Sequence, residues 1–188
     1  MNIPLNPSTA EYMLAQECRA GSQTAQHHLY RLYARQLMLL CLRYISNEED
    51  AKEVLTDAFV TAFRSFSKFD YQGEGSVLAW LRRIAINQCL MHLRRNKMRF
   101  EEMDERHEEQ LNSHDNILER MTAREIMLLI HQLPPGYRTV FNLYVFEEMP
   151  HKEIAGLLQI SESTSKSQLY KARQLLQKQI LQQKQEIL

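Results

Sequence analysis

Glycine and proline are scarce in this chain, five of each in 188 residues, which favours helix throughout. The three cysteines, Cys18, Cys41 and Cys89, form no CxxC pair. That excludes a disulfide framework and leaves free or buried thiols suited to a reducing compartment. Cys89 and His92 share a helix face at three-residue spacing, but two candidate ligands do not make a zinc site, and packing explains them better. There is no signal peptide and no apolar run long enough to span a bilayer, so a cytoplasmic location is expected. A nucleophile elbow, a phosphate-cradling glycine loop and an HExxH pair are all missing. No catalytic residue, cofactor, metal or small-molecule substrate is expected, and the chain does not read as an enzyme. No internal repeat is apparent.

Net charge is zero, which at first argues against nucleic acid. The distribution says otherwise. Residues 75–100 hold Arg82, Arg83, Arg94, Arg95, Lys97 and Arg99 and no acid, whereas residues 101–119 are dominated by Glu101, Glu102, Asp104, Glu105, Glu108, Glu109, Asp115 and Glu119. The acidic block hides the basic one in the total.

With 44% hydrophobic residues there is enough apolar material for real cores. The most informative stretch is 150–176. Ile154, Leu157 and Leu158 lie at helical spacing, Ile160 enters a turn, and Ser161 is a suitable N-cap for a second helix. On that helix Ser165, Leu169, Ala172 and Leu176 form one inward stripe. Ser163, Ser167, Tyr170, Lys171 and Gln174 lie opposite, flanked by Lys166 and Arg173. Small polar and basic residues on the free face of a second helix suit the major groove; the bland alternative is a helical hairpin with a solvated face.

Toward the N-terminus, Ser8 and Glu11 have capping-box spacing for a first helix ending near Gly21. Ser22 caps a second helix bearing Leu29, Tyr33, Leu37, Leu40 and Tyr44. A third starts near Glu48, with Ala51, Val54, Leu55, Ala58, Phe59, Ala62, Phe63 and Phe66 inward. Its other face, Asp50, Lys52, Glu53, Thr56, Asp57 and Thr61, suits solvent or a protein partner. Residues 67–75 form a loop holding Phe69, Tyr71 and two glycines; such a loop suits unstacked bases, although Phe66 is better read as core and Phe69 is open to either role. Ser76 caps a fourth helix. Val77, Trp80, Leu81, Ile84 and Ala85 face inward, and Arg83, Asn87 and Arg94 share another stripe that is either a DNA face or solvated surface.

The charged stretch 96–115 reads as a mobile linker and domain boundary. A fifth helix is expected over about 117–132, ended by Leu133-Pro134-Pro135-Gly136. A sixth carries Tyr137, Val140, Phe141, Tyr144 and Val145. The fold class is therefore all-α: two small helical domains, an N-terminal four-helix domain and a C-terminal four-helix domain with a helix-turn-helix, joined by a flexible linker.

Three stretches together resemble an extracytoplasmic-function (ECF) sigma factor of the sigma-70 family: EEDAKEVLTDAFVTAF, FDYQGEGSVLAWLRRIAINQCLMHLRR, and LPPGYRTVFNLYVFEEMPHKEIAGLLQISESTSKSQLYKAR. The resemblance implies a non-enzymatic protein that binds core RNA polymerase and promoter DNA, with an anti-sigma factor as a further partner that in many relatives holds it at the membrane. It implies that residues 8–96 bind the polymerase clamp and open the minus-ten element, that 97–116 are an acidic linker, and that 117–182 bind the minus-thirty-five element. The residues carried over are Asp50, Glu53, Thr56 and Asp57 for the clamp. For the minus-ten strand they are Phe69, Asp70, Tyr71, Gln72, Gly73, Glu74, Gly75, Arg83, Asn87 and Arg94. For the minus-thirty-five duplex they are Ser163, Thr164, Lys166, Ser167, Gln168, Tyr170, Lys171 and Arg173. The chain departs from the family at Thr56, often Gln, and at Met91, often an acid. The recognition helix commonly begins Thr-Val-Lys-Ser-Arg and here reads Thr164-Ser165-Lys166-Ser167-Gln168. Ser165 is then expected to bond a backbone carbonyl or to weaken packing, and Gln168 to give up one phosphate contact. A DNA-binding regulator that never joins polymerase is the alternative, although it has no evident use for the 67–75 loop. A helical adaptor that binds only protein is a second, against which the basic stripe argues.

Overall fold

The computed structural model describes residues 7–96 and 122–185, and all regular structure among them is helical. The chain divides into two compact units, 1–96 and 97–188. The expected linker, 97–116, and the start of the expected fifth helix lie outside the described residues.

In the first unit, α1 spans Pro7–Arg19, α2 Gln23–Tyr44, α3 Glu48–Ser65 and α4 Ser76–Arg95, with one 3-10 turn at Phe66–Lys68. The local signals explain most helix ends. The Ser22 hydroxyl accepts the Ala25 N–H at 3.3 Å, and Asn47 Oδ1 accepts that of Asp50 at 3.0 Å. Gly21, at φ +81°, turns the chain between α1 and α2. Helices α2, α3 and α4 pack on one another, and α1 lies against α2 and the 3-10 turn. Leu29, Leu37, Leu40 and Tyr44 of α2 meet Ala51, Val54, Leu55, Ala58, Phe59 and Ala62 of α3 and Val77, Leu81, Ala85, Cys89 and Leu90 of α4 in the core.

All three thiols are free and buried. Burial, with the charge of Glu17 added, pushes Cys18 up to about 11. A hydrogen bond with Cys41 and then burial hold Cys89 well above the ordinary thiol range.

Two end signals differ from expectation. Ser8 lies inside α1, and the Glu11 carboxylate turns away from its own helix to the start of α4. The residue flanking α4 is Gly75, at φ +83°; Ser76 is already helical, and its hydroxyl accepts the Gln72 N–H at 3.3 Å.

In the second unit, α5 spans Ala123–Gln132, α6 Pro135–Val145, α7 His151–Leu158 and α8 Glu162–Gln185. Thr122 and Glu125 form a reciprocal capping box at the start of α5. Leu133 and Pro134 separate α5 from α6, Pro135 opens α6, and the Arg138 guanidinium donates to the His131 carbonyl at 2.8 Å across that corner. Helix α8 packs on α5, α6 and α7. Leu129, Ile130, Val140, Leu143, Ile154, Leu158, Leu169 and Ala172 make the core. The buried side of α6 also includes Arg138, Thr139 and Asn142, which rotates its end outward and leaves Tyr144 and Val145 exposed although both fit the apolar period. The turn between α7 and α8 uses no glycine: Gln159 takes the left-handed conformation, at φ 59°.

Candidate nucleic-acid interface

The end of α7, the turn and α8 form the expected helix-turn-helix. Ser161 is the cap: its Oγ accepts the Thr164 N–H at 2.9 Å, and the Ser163 and Thr164 hydroxyls each lie 2.7 Å from it. Ser163, Lys166, Ser167 and Arg173 are exposed, and Tyr170 and Lys171 are half-buried. Lys166 pairs with Glu162 at 2.8 Å, one helical turn back, and Gln174 donates to the Tyr170 hydroxyl at 2.9 Å.

Two residues carried over for duplex contact are not on that surface. Thr164 is 8% exposed and Gln168 4%. Thr164 is drawn in by the cap, where its hydroxyl meets Ser161. Gln168 lies against Gly136 of α6, its Oε1 3.6 Å from where a β-carbon would stand, so the missing side chain there makes room for the amide. Because α8 is covered by three helices, its buried arc takes in 164, 165, 168, 169 and 172, wider than its apolar residues alone indicate. Gln168→Ala should therefore destabilise the second unit by about 1–3 kcal/mol, the scale for losing a buried polar group with its contacts, and leave base preference unchanged. Chemical denaturation and a duplex-selection experiment on the variant check both halves.

Ser165, fully buried, bonds neither a carbonyl nor an empty space: its Oγ lies 2.9 Å from Nδ1 of His151, the first residue of α7. Tyr144 stacks on that imidazole with ring centres 4.6 Å apart, and the Arg173 guanidinium lies 5.7 Å from the Tyr144 ring centre. Burial and then the Lys166 cation lower the His151 pKa, partly offset by Glu162, with Arg173 adding to the lowering, which favours the neutral ring. His151 and Tyr144 thus brace the exposed face of α8. Helical periodicity could not single them out, because both contacts cross between helices.

In the first unit, Asp70, Gln72, Glu74 and Gly75 are exposed, and Tyr71 and Gly73 partly so. Gly73 has φ +114° and Gly75 φ +83°, conformations that side chains avoid, which accounts for both glycines. Phe69 is not part of this surface. It is 8% exposed, with its ring 4.8 Å from Trp80 and 5.5 Å from Phe66. The 3-10 turn carries it back under α4, so it plugs the core with Phe66. Arg83, Asn87 and Arg94 are all exposed along one side of α4.

On α3, Glu53, Thr56 and Asp57 are exposed. Asp50 is partly covered, with Oδ2 3.6 Å from Nε2 of His92, and the Thr56 hydroxyl donates to the Lys52 carbonyl at 2.9 Å. Among the described residues no group of three His, Cys, Asp or Glu side chains could hold a metal ion.

Residues 29–99 match the profile of sigma-70 region 2, and residues 123–176 that of sigma-70 region 4. Full-length relatives agree. The ECF RNA polymerase sigma factor SigM of Mycobacterium tuberculosis is 30% identical over 166 residues, covering 88% of this chain and 81% of its own. The RNA polymerase sigma-H factor of Pseudomonas aeruginosa is 27% identical over 180 residues, covering 89% of this chain and 92% of its own. Among solved structures, CnrH in complex with the cytosolic domain of CnrY aligns over 89% of this chain and 95% of its own, with TM-score 0.48 and 22% identity. The two profile matches and the sequence relatives define a sigma-70-type transcription initiation factor. The chain belongs to the ECF sigma factors of that family. Members of the family are initiation factors without catalytic activity of their own.

Proposed function

We propose that the two units divide the work of promoter recognition. Residues 8–96 bind the core polymerase clamp through Asp50, Glu53, Thr56 and Asp57 on α3, and hold the minus-ten strand with the 70–75 loop, Arg83, Asn87 and Arg94. Residues 117–182 bind the minus-thirty-five duplex through Ser163, Lys166, Ser167, Tyr170, Lys171 and Arg173, with 97–116 as the linker. One observation carries the reading: an exposed glycine loop sits at the start of the helix that bears an exposed basic stripe, in the same chain as a helix-turn-helix. A regulator that reads only duplex DNA has no use for the first of these. Bases freed from the stack need an accessible backbone and cations for their phosphates. The chain works in the cytoplasm, where polymerase and promoter are; no helix among the described residues is long and apolar enough to cross a membrane. An anti-sigma factor is the class of inhibitory partner that the family implies.

Transcription of genomic fragments by core enzyme with the purified chain should give discrete 5′ ends that share a minus-thirty-five element. Absence of any affinity for core enzyme at micromolar concentration would sink the reading.

A further inference from the structure

The loop proposed to receive the minus-ten strand is held from outside its own helix. Helix α4 has no side-chain cap at its flanking residue, because that residue is Gly75, and the neighbouring Ser76 hydroxyl is taken by the Gln72 N–H. The free N–H groups that start α4 are met instead by α1. Glu11 Oε2 accepts the Gly75 N–H at 2.7 Å, and Oε1 accepts the Val77 N–H at 3.0 Å, across 64 and 66 residues of sequence. The next residue of α1, Tyr12, sets its ring edge-on against Tyr71 near the start of the loop, with centres 5.3 Å apart at 65°. Two consecutive residues of one helix thus hold the loop near both of its ends.

We infer that Glu11 and Tyr12 are positioning residues for single-strand capture: they hold the 70–75 loop, with its two left-handed glycines, in the shape that receives an unstacked base. The inference rests on the proposed strand site in the first unit. Glycines lose more conformational freedom on ordering than any other residue, so a loop built on two of them binds weakly unless it is ordered in advance. A carboxylate supplies two acceptor oxygens, one for each N–H. A glutamine would supply one and turn an NH2 group toward the other donor. Neither α1 residue needs to touch the DNA to have this effect.

The test uses the full chain with core enzyme and a labelled single-stranded oligonucleotide carrying the non-template minus-ten segment of a promoter mapped by run-off transcription. Glu11→Gln should weaken binding of that strand about tenfold, the scale for losing a charge-assisted hydrogen bond. Tyr12→Ala should weaken it about threefold, the scale of an edge-to-face contact. Affinity for core enzyme and for a minus-thirty-five duplex should stay at the wild-type value in both, which a merely structural role would not produce. Tyr71→Ala and Asn87→Ala serve as reference variants. If these two lose strand binding while Glu11→Gln and Tyr12→Ala keep it, the positioning role is wrong and the strand site stands. If all four bind as wild type, both are wrong. If Glu11→Gln loses core affinity in parallel, the decision passes to Tyr12→Ala, whose side chain is exposed; unchanged strand binding there overturns the proposal.

Discussion

Replacing Phe66 with alanine should cost the first unit about 3–5 kcal/mol, the range for deleting a buried phenyl ring. Phe66 is 1% exposed and sits edge-on to Trp80, at 5.0 Å and 74°, and to Phe69, at 5.5 Å and 69°. Removing it opens a cavity and takes one edge-on contact from each of two rings, leaving Trp80 and Phe69 only their contact with each other, at 4.8 Å. Domains of this size are stable by about 5–15 kcal/mol, so the loss is a large fraction of the whole. Trp80 is the single tryptophan of the chain, so its fluorescence during urea unfolding reports on the first unit alone. The midpoint should fall sharply, and binding to core enzyme at physiological temperature should fall with it. Phe69→Ala should also lower the midpoint, because Phe69 is a core residue and not a base platform. A tryptophan transition unmoved in both variants would mean that the aromatic cluster does not hold this unit together.

Most of the fold was readable because helix periodicity and local caps are short-range signals. Ser22, Ser161 and the Leu133-Pro134-Pro135 break each act within a few residues of themselves, and all three stand where the pattern put them. What was not readable depends on contacts between elements. Ser8 and Glu11 have the spacing of a capping box, yet the Glu11 carboxylate serves a helix 64 residues away, and no local rule distinguishes the two uses. Thr164 and Gln168 are polar, and a stripe drawn through apolar residues cannot include a glutamine buried against a glycine of another helix. Ser165 falls on the buried stripe by its spacing alone, but its partner, the His151 imidazole, lies on the preceding helix. The single-strand surface was legible as a glycine-containing loop beside a basic helix. Its aromatic content was not, since Phe69 and Tyr71 look alike in sequence and only the 3-10 turn sends one inward.

Removing both Arg83 and Arg94 should weaken capture of the minus-ten strand about tenfold at 0.15 M salt, and flatten its salt dependence by about 1.4 in logarithmic slope. Both side chains are exposed on α4, on the same side as Asn87. They are eleven residues apart, or about 16 Å along the helix, far enough to meet different phosphates of one strand. Each phosphate neutralised releases part of a counterion, about 0.7 per contact on single-stranded DNA, so two contacts set both the slope and the loss. Asn87→Ala removes hydrogen bonds but no charge. It should cost about 1 kcal/mol of strand affinity and leave the slope where it was. Arg173→Ala acts on the other DNA: the duplex slope should fall by about 0.9, with strand capture on a premelted template unaffected. The measurement is strand and duplex affinity for the three variants, each bound to core enzyme, across a salt series. An unchanged strand slope in the Arg83/Arg94 double variant would place the strand away from α4, because exposed guanidinium groups lying along bound phosphates cannot be removed without altering counterion release.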